Sequence, residues 1–281
     1  RRASLAPAAH TQALGTCRRD RGRSEDIQGR HLISSVDEWF TYAPPKGLEK
    51  QWVDGRSAKE CARAWFPEPG NPRVPSELQQ LWSSHSDIGQ VTLIEGTPEL
   101  PVRLDDYRGE TRNADMVAWG SCASGAVLVS IEAKADEPFG PTLAEEMDLA
   151  KSPNSNIPKR VNGLCEALLG RPYAAEPSIH HLRYQLFTGC AGALIEAKQK
   201  HAALAVFCVH EFLGSATAPE NLERNAADFK EFIRHLMPSW RDEIEPGRLI
   251  GPARPFGGGY VSSAVPLYVG KTVRVVRAGS A

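Results

Sequence analysis

Residues 201–212 read HAALAVFCVHEF, a near-continuous apolar run. A strand with one wet face alternates apolar and polar side chains, so an unbroken run marks a strand covered on both faces. Helices packed on both sides of a sheet supply that cover. The preceding stretch, LRYQLFTGCAGALIEAKQK at 182–200, has the length and composition of a long helix. Its Gly189, Ala191, Gly192 and Ala193 allow it to approach a sheet closely. The expected class is therefore α/β, a mixed central β-sheet flanked by helices.

Upstream, residues 115–134 read DMVAWGSCASGAVLVSIEAK. Two apolar runs, 116–119 and 127–131, flank a turn of small residues, the pattern of a β-hairpin. Side chains alternate across a strand, so Glu132 and Lys134 share a face and Ala133 points the other way. Asp115 opens the neighbouring strand and comes within reach of Glu132. Two carboxylates beside an ammonium suit phosphodiester hydrolysis, in which acid oxygens hold a divalent cation and a nearby cation offsets charge on phosphate.

This constellation resembles the PD-(D/E)XK, or restriction-endonuclease-like, nuclease superfamily. The resemblance implies Asp115, Glu132 and Lys134 as catalytic residues, with Asp115 and Glu132 as ligands of Mg²⁺ or Mn²⁺. Ala114 stands where that pattern has proline. Many members add an acid from an early helix, which points to Glu60, and Glu95 on the preceding strand is a second candidate. RecB-like branches place a Gln on the following helix with a Tyr four residues on; Gln185 matches the first and Gly189 departs from the second. The tetrapeptide Ile-Glu-Ala-Lys recurs at 195–198, but within the helical stretch, where residues two apart do not share a face. The competing reading of 115–134 is a strand end carrying an exposed ion pair.

Residues 36–40 suggest a short helix capped by Ser34 or Ser35. Ser57 with Glu60, and Ser76 with Gln79, have capping-box spacing for two further helices, and that role alone accounts for Glu60. Residues 91–96 read as a strand, 103–112 as a polar connection, 159–169 and 219–237 as helices. The stretch between Ala135 and Pro177 is an insertion relative to the resembled core, and the residues after 212 are C-terminal additions. GPARPFGGGY at 251–260 reads as a mobile loop, and 266–276 as a closing strand at a sheet edge, given Lys271 and Arg274. His210 is expected to be a hydrogen-bonded structural residue. The phrases VDEWF, DGRSAKECARAWF, RYQLFTGCAGALIEA, VFCVHEF and PLYVGK are also similar to an uncharacterised bacterial family of unknown function set near these nucleases, over residues 31–275.

Residues 1–30 lack periodicity and read as an unstructured segment, with 31–281 as a single domain. Net charge is −1, but residues 1–30 carry +4, residues 247–281 carry +5, and the middle carries −10. The acidic middle argues against tight non-specific duplex binding, and the basic C-terminal stretch offers phosphate contacts. The six cysteines show no metal-ligand spacing, and no apolar run approaches the ~20 residues of a membrane span. The expectation is a cytoplasmic, Mg²⁺-dependent nuclease with nucleic acid as partner, no membrane association and a homodimeric state. The alternative is a non-catalytic binding or interaction module on the same fold.

Overall fold

The apolar run at 204–212 is the middle of a sheet. The structure, a computed structural model, describes residues 31–276 apart from 109–110, 151, 153 and 216, together with Ala3–Ser4. That pair forms β1 (Ala3–Ser4), parallel to β2 (His31–Leu32). The remainder of the segment expected to be unstructured, 1–30, lies outside the described residues.

Among the described residues, six strands make the main sheet: β3 (Thr92–Val102), β4 (Arg112–Cys122), β5 (Gly125–Lys134), β6 (Leu204–Leu213), β7 (Leu249–Ala253) and β8 (Leu267–Val275). Their spatial order is β3-β4-β5-β6-β8-β7. β3, β4 and β5 pair antiparallel, β5, β6 and β8 pair parallel, and β7 returns antiparallel to β8. The fold is thus α/β with a mixed sheet. The parallel step from β5 to β6 is made through α4 (Leu143–Asp148), α5 (Ile157–Leu169) and α6 (Tyr184–Gln199). α7 (Pro219–Leu236) precedes β7.

Each face of β6 meets a different helical layer. Val206 and Cys208 pack with Trp39 of α1 (Val36–Tyr42), Trp65 of α2 (Ser57–Trp65) and Trp82 of α3 (Ser76–Ser83). Ala205, Phe207 and Val209 pack with Leu164, Phe187 and Phe232 of α5, α6 and α7. Both side-chain sets are buried, and burying each large apolar one stabilises the fold by ~1.5–3 kcal/mol. α6 comes so close that a Cβ at Gly189 would lie 2.4 Å from the Phe207 ring.

Ser35 caps α1, accepting from Glu38 N–H at 3.1 Å. The two capping boxes expected at Ser57 and Ser76 are absent, since those serines are the first helical residues and Arg56 and Pro75 hold the cap positions without a side-chain bond. The Glu60 carboxylate reaches back to Gly55 N–H at 2.9 Å. A capping box does form on α4, between Thr142 and Glu145.

Two expectations at the C-terminal end fail. β8 is interior, between β6 and β7, because its charges have internal partners: Lys271 meets Glu211 of β6 at 2.6 Å and Arg274 meets Glu77 of α3 at 2.9 Å. The start of the expected mobile loop is instead part of β7, where Leu249, Ile250 and Ala253 are buried. No helix among the described residues is long and apolar enough to cross a membrane.

Candidate active site

The β4–β5 ladder runs from Cys122↔Gly125 to Met116↔Ile131, joined by a tight turn with Gly125 at φ 118°. One step past Met116 and Ile131, Asp115 comes opposite Glu132. There Asp115 Oδ2 accepts from the backbone N–H of Ala133 at 2.7 Å. A side chain thus satisfies a donor at the ladder's end, and the end of the two strands opens into a cleft of about 500 Å³.

Glu132 is the centre of this end. Arg112 Nη2 donates to its Oε2 at 2.6 Å. Lys134 Nζ lies 3.2 Å from its Oε1, which also accepts from Gln185 Nε2 at the start of α6. The side chains of Arg112, Glu132 and Lys134 are all less than a tenth exposed. Lys134 sits 5.7 Å from the centre of the Phe139 ring, whose negative face favours the ammonium. A carboxylate in so little water is tolerable because two cations and an amide surround it.

A third acid joins the pair. Glu99 lies on β3 between the pairs Pro98↔Met116 and Leu100↔Ala114, which brings it beside Asp115. Its backbone is left-handed, φ 48°, a conformation costing a residue with a Cβ ~1–2 kcal/mol. Burial, then the charges of Asp115 and Glu132, push the Glu99 carboxyl up to about 9. Burial and then Glu132 likewise raise Asp115 to about 7, against the pull of Lys134, the Ala133 N–H and Arg112. Three acids compete for too little positive charge.

Glu99, Asp115, Glu132, Lys134 and Gln185 all line the cleft. Exposed Lys46, Lys50 and Arg56, from the segment around α2, form its rim. The floor is acidic and the rim basic.

The remaining sequence candidates lie elsewhere. Glu60 is buried and bound to Gly55 N–H and to Arg63 at 2.8 Å, and it does not line the cleft. Glu95 pairs across the strands with Trp119, and its carboxylate lies 3.5 Å from Lys200. Glu196 and Lys198 of the repeated tetrapeptide sit on α6. His210 is fully buried, its Nε2 2.8 Å from Glu77 Oε1. Burial pushes the Glu77 carboxyl up, but hydrogen bonds from His210, its own backbone and Arg274 outweigh it and hold Glu77 at about 2.

Sequence reasoning missed Glu99 and Arg112. Glu99 stands in Pro-Glu-Leu-Pro, which punctuates like a loop although β3 continues through it. Arg112 falls in a stretch read as a polar connection, yet it begins β4 two residues before buried Ala114, the spacing of a shared strand face.

Among the described residues, no group of three or more His, Cys, Asp or Glu side chains is placed to hold a metal ion. No curated protein and no solved structure matches the chain. A family model described as a domain of unknown function matches residues 32–275. The chain belongs to that family, DUF6946.

Proposed function

We propose that the chain is a divalent-metal-dependent nuclease of the PD-(D/E)XK kind that hydrolyses phosphodiester bonds of nucleic acid, DNA before RNA. One observation carries the reading: Asp115, Glu132, Lys134 and Gln185 converge at one end of the β4–β5 pair, in a cleft with a basic rim. With α4 and α5 taken as the insertion between β5 and α6, the elements β3, β4, β5, α6 and β6 follow the strand-strand-strand-helix-strand order expected of that core.

Asp115 and Glu132 would hold a hard cation as a pair of carboxylates, with water or substrate oxygens completing its shell. Burial first, and then the neighbouring acids, raise the Asp115 and Glu99 carboxyls, and a cation beside them would favour their charged forms. Mg²⁺ or Mn²⁺ bound there supplies Lewis acidity toward a phosphoryl oxygen and a more acidic water. The protein's own groups do the rest. Lys134 offsets negative charge that develops on the phosphate. Gln185 fixes the Glu132 carboxylate by donating to Oε1. Lys46, Lys50 and Arg56 hold the strand by its phosphates at the cleft mouth.

A second reading, nucleic-acid binding without hydrolysis, is favoured by the saturation of Glu132: both of its oxygens already accept from Arg112, Lys134 or Gln185. Calorimetric titration of Mn²⁺ alongside a cleavage screen on single-stranded and duplex substrates separates the two. The nuclease reading expects cleavage only with Mg²⁺ or Mn²⁺, and Lys134→Ala should lose ~10²–10³ in rate, about 3–4 kcal/mol, while still binding Mn²⁺. Wild-type protein that binds no divalent ion at millimolar concentration and cuts nothing leaves the binding reading in place.

A further inference from the structure

No residue of α7 lines the cleft or the cavity of about 890 Å³ beside it, yet α7 fastens the wall they share. Glu137, Pro138 and Gly140 line the cleft, and Phe139, Gly140 and Pro141 line the cavity. Along α7, Asn221, Asn225 and Asp228 are spaced by four and three residues, which puts them on one helix face. Asn221 Nδ2 donates to the Asp136 carboxylate at 2.8 Å and to the Asp136 carbonyl at 3.2 Å. Asn225 Nδ2 donates to the Glu137 carbonyl at 2.9 Å. Arg183 Nε donates to Asp228 at 2.7 Å, and its Nη1 donates to the Gly140 carbonyl at 2.9 Å. The chain from Asp136 to Gly140 is thus tied at three points to one face of α7. Between the ties it carries Phe139, whose ring faces the Lys134 ammonium.

Asn225 is the innermost of the three, 1 % exposed. Its Nδ2 also meets Glu211 Oε1 at 3.1 Å, and Lys271 holds the other oxygen of Glu211 at 2.6 Å. Both groups that Nδ2 meets are acceptors, which fixes the orientation of the amide. Oδ1 is then buried with no hydrogen-bond partner among the described residues. An unpaired buried oxygen is costly, and what the amide gives in return is its two N–H bonds, one of them to the cleft wall. We propose that Asn225 is a positioning residue: through the Glu137 carbonyl it fixes the wall that sets Lys134, without touching substrate or metal. Its effect on turnover rests on the nuclease reading; its effect on the wall does not.

The test uses the full chain with Asn225→Leu, which keeps the bulk and removes both N–H groups. Cleavage should show kcat lowered about ten- to a hundredfold per folded molecule, with KM and Mn²⁺ affinity unchanged. A second readout is the rate at which an amine reagent labels Lys134, followed by mass spectrometry in EDTA. Lys134 is 5 % exposed and should label several-fold faster in Asn225→Leu. Glu77→Gln, destabilised on the opposite face of the sheet, controls for lost stability alone and should label Lys134 at the wild-type rate. Should Asn225→Leu not fold, Asn221→Ala, which frees the same segment at Asp136, decides by the same readouts. In a protein that cleaves, a change in only one of the two readouts, or in neither, overturns the positioning role and spares the nuclease reading. If wild type cleaves nothing, the nuclease reading fails and labelling decides: faster labelling supports Asn225 as the fastener of the wall, and an unchanged rate overturns it.

Discussion

In metal-free protein, the two carboxylates at the β4–β5 end should answer neutralisation in opposite directions. Glu132→Gln leaves Arg112 and Lys134, 8 % and 7 % exposed, without the anion they flank at 2.6 and 3.2 Å. Breaking a buried pair from one side typically costs ~3–5 kcal/mol. Asp115 and Glu99 remain as partial substitutes, which places the expected loss near ~3 kcal/mol. Asp115→Asn does the reverse. Its carboxyl is raised from 3.8 to about 7 by burial and Glu132. A carboxyl with a raised folded pKa favours folding below its unfolded pKa, and that advantage is lost as pH rises through the folded value. Across roughly 3 units the ceiling is ~4 kcal/mol of penalty above pH ~7. Asn removes the charge and keeps an oxygen to accept from Ala133 N–H, so Asp115→Asn should stabilise by ~2 kcal/mol at pH ~8, and by little near pH ~4. Urea unfolding in EDTA at both pH values measures this. If Asp115→Asn destabilises at high pH, or Glu132→Gln is neutral, the charge balance described for the site is wrong.

Glu77, held at about 2 by His210 and Arg274, contributes stability above its ordinary carboxylate range that fades as pH falls toward 2. Glu77→Gln should therefore cost ~2 kcal/mol at neutral pH and flatten the acid limb of a melting-temperature profile. Gly189→Ala places a Cβ 2.4 Å from Phe207 and should destabilise by ~1–3 kcal/mol in chemical unfolding. The double substitution Glu196→Ala with Lys198→Ala removes charges on α6 outside the cleft, and any cleavage rate per folded molecule should stay within about threefold. A thousandfold loss would mean the repeated tetrapeptide, not residues 131–134, carries the chemistry.

Elements whose side chains repeat a simple pattern were the legible ones. The unbroken run in β6, the small residues of α6 and the apolar runs of β4 and β5 each declared an environment, and their pairing followed. β7 was not legible because Gly251 and Pro252 interrupt a strand too short to show a period. β8 looked like an edge because Lys271 and Arg274 imply solvent, whereas Glu211 and Glu77, distant in sequence, neutralise them. At the site, Glu132 and Lys134 were readable from strand alternation. Glu99 required knowing that β3 carries a left-handed residue toward its C-terminal end, and Arg112 that its partner stands twenty residues downstream. Capping spacing at Ser57 and Ser76 misled because each helix begins at the serine itself, with Arg56 and Pro75 in the cap positions, and Glu60 accepts from Gly55 N–H instead.

The position of β8 bears on how the protein is made. It is the last strand of the sheet in the chain, yet it lies between β6 and β7. During synthesis β6 therefore emerges with one flank unpaired and stays so until Leu267–Val275 has left the ribosome. In that interval the nascent chain shows a row of free backbone donors and acceptors along an apolar strand, the condition that recruits chaperones or neighbouring chains. Lys271 also arrives last, so Glu211 waits without its cation over the same interval. Completion of the sheet waits for β8, and a chain cut short before residue 267 is left with two open strand edges in its core rather than one frayed border.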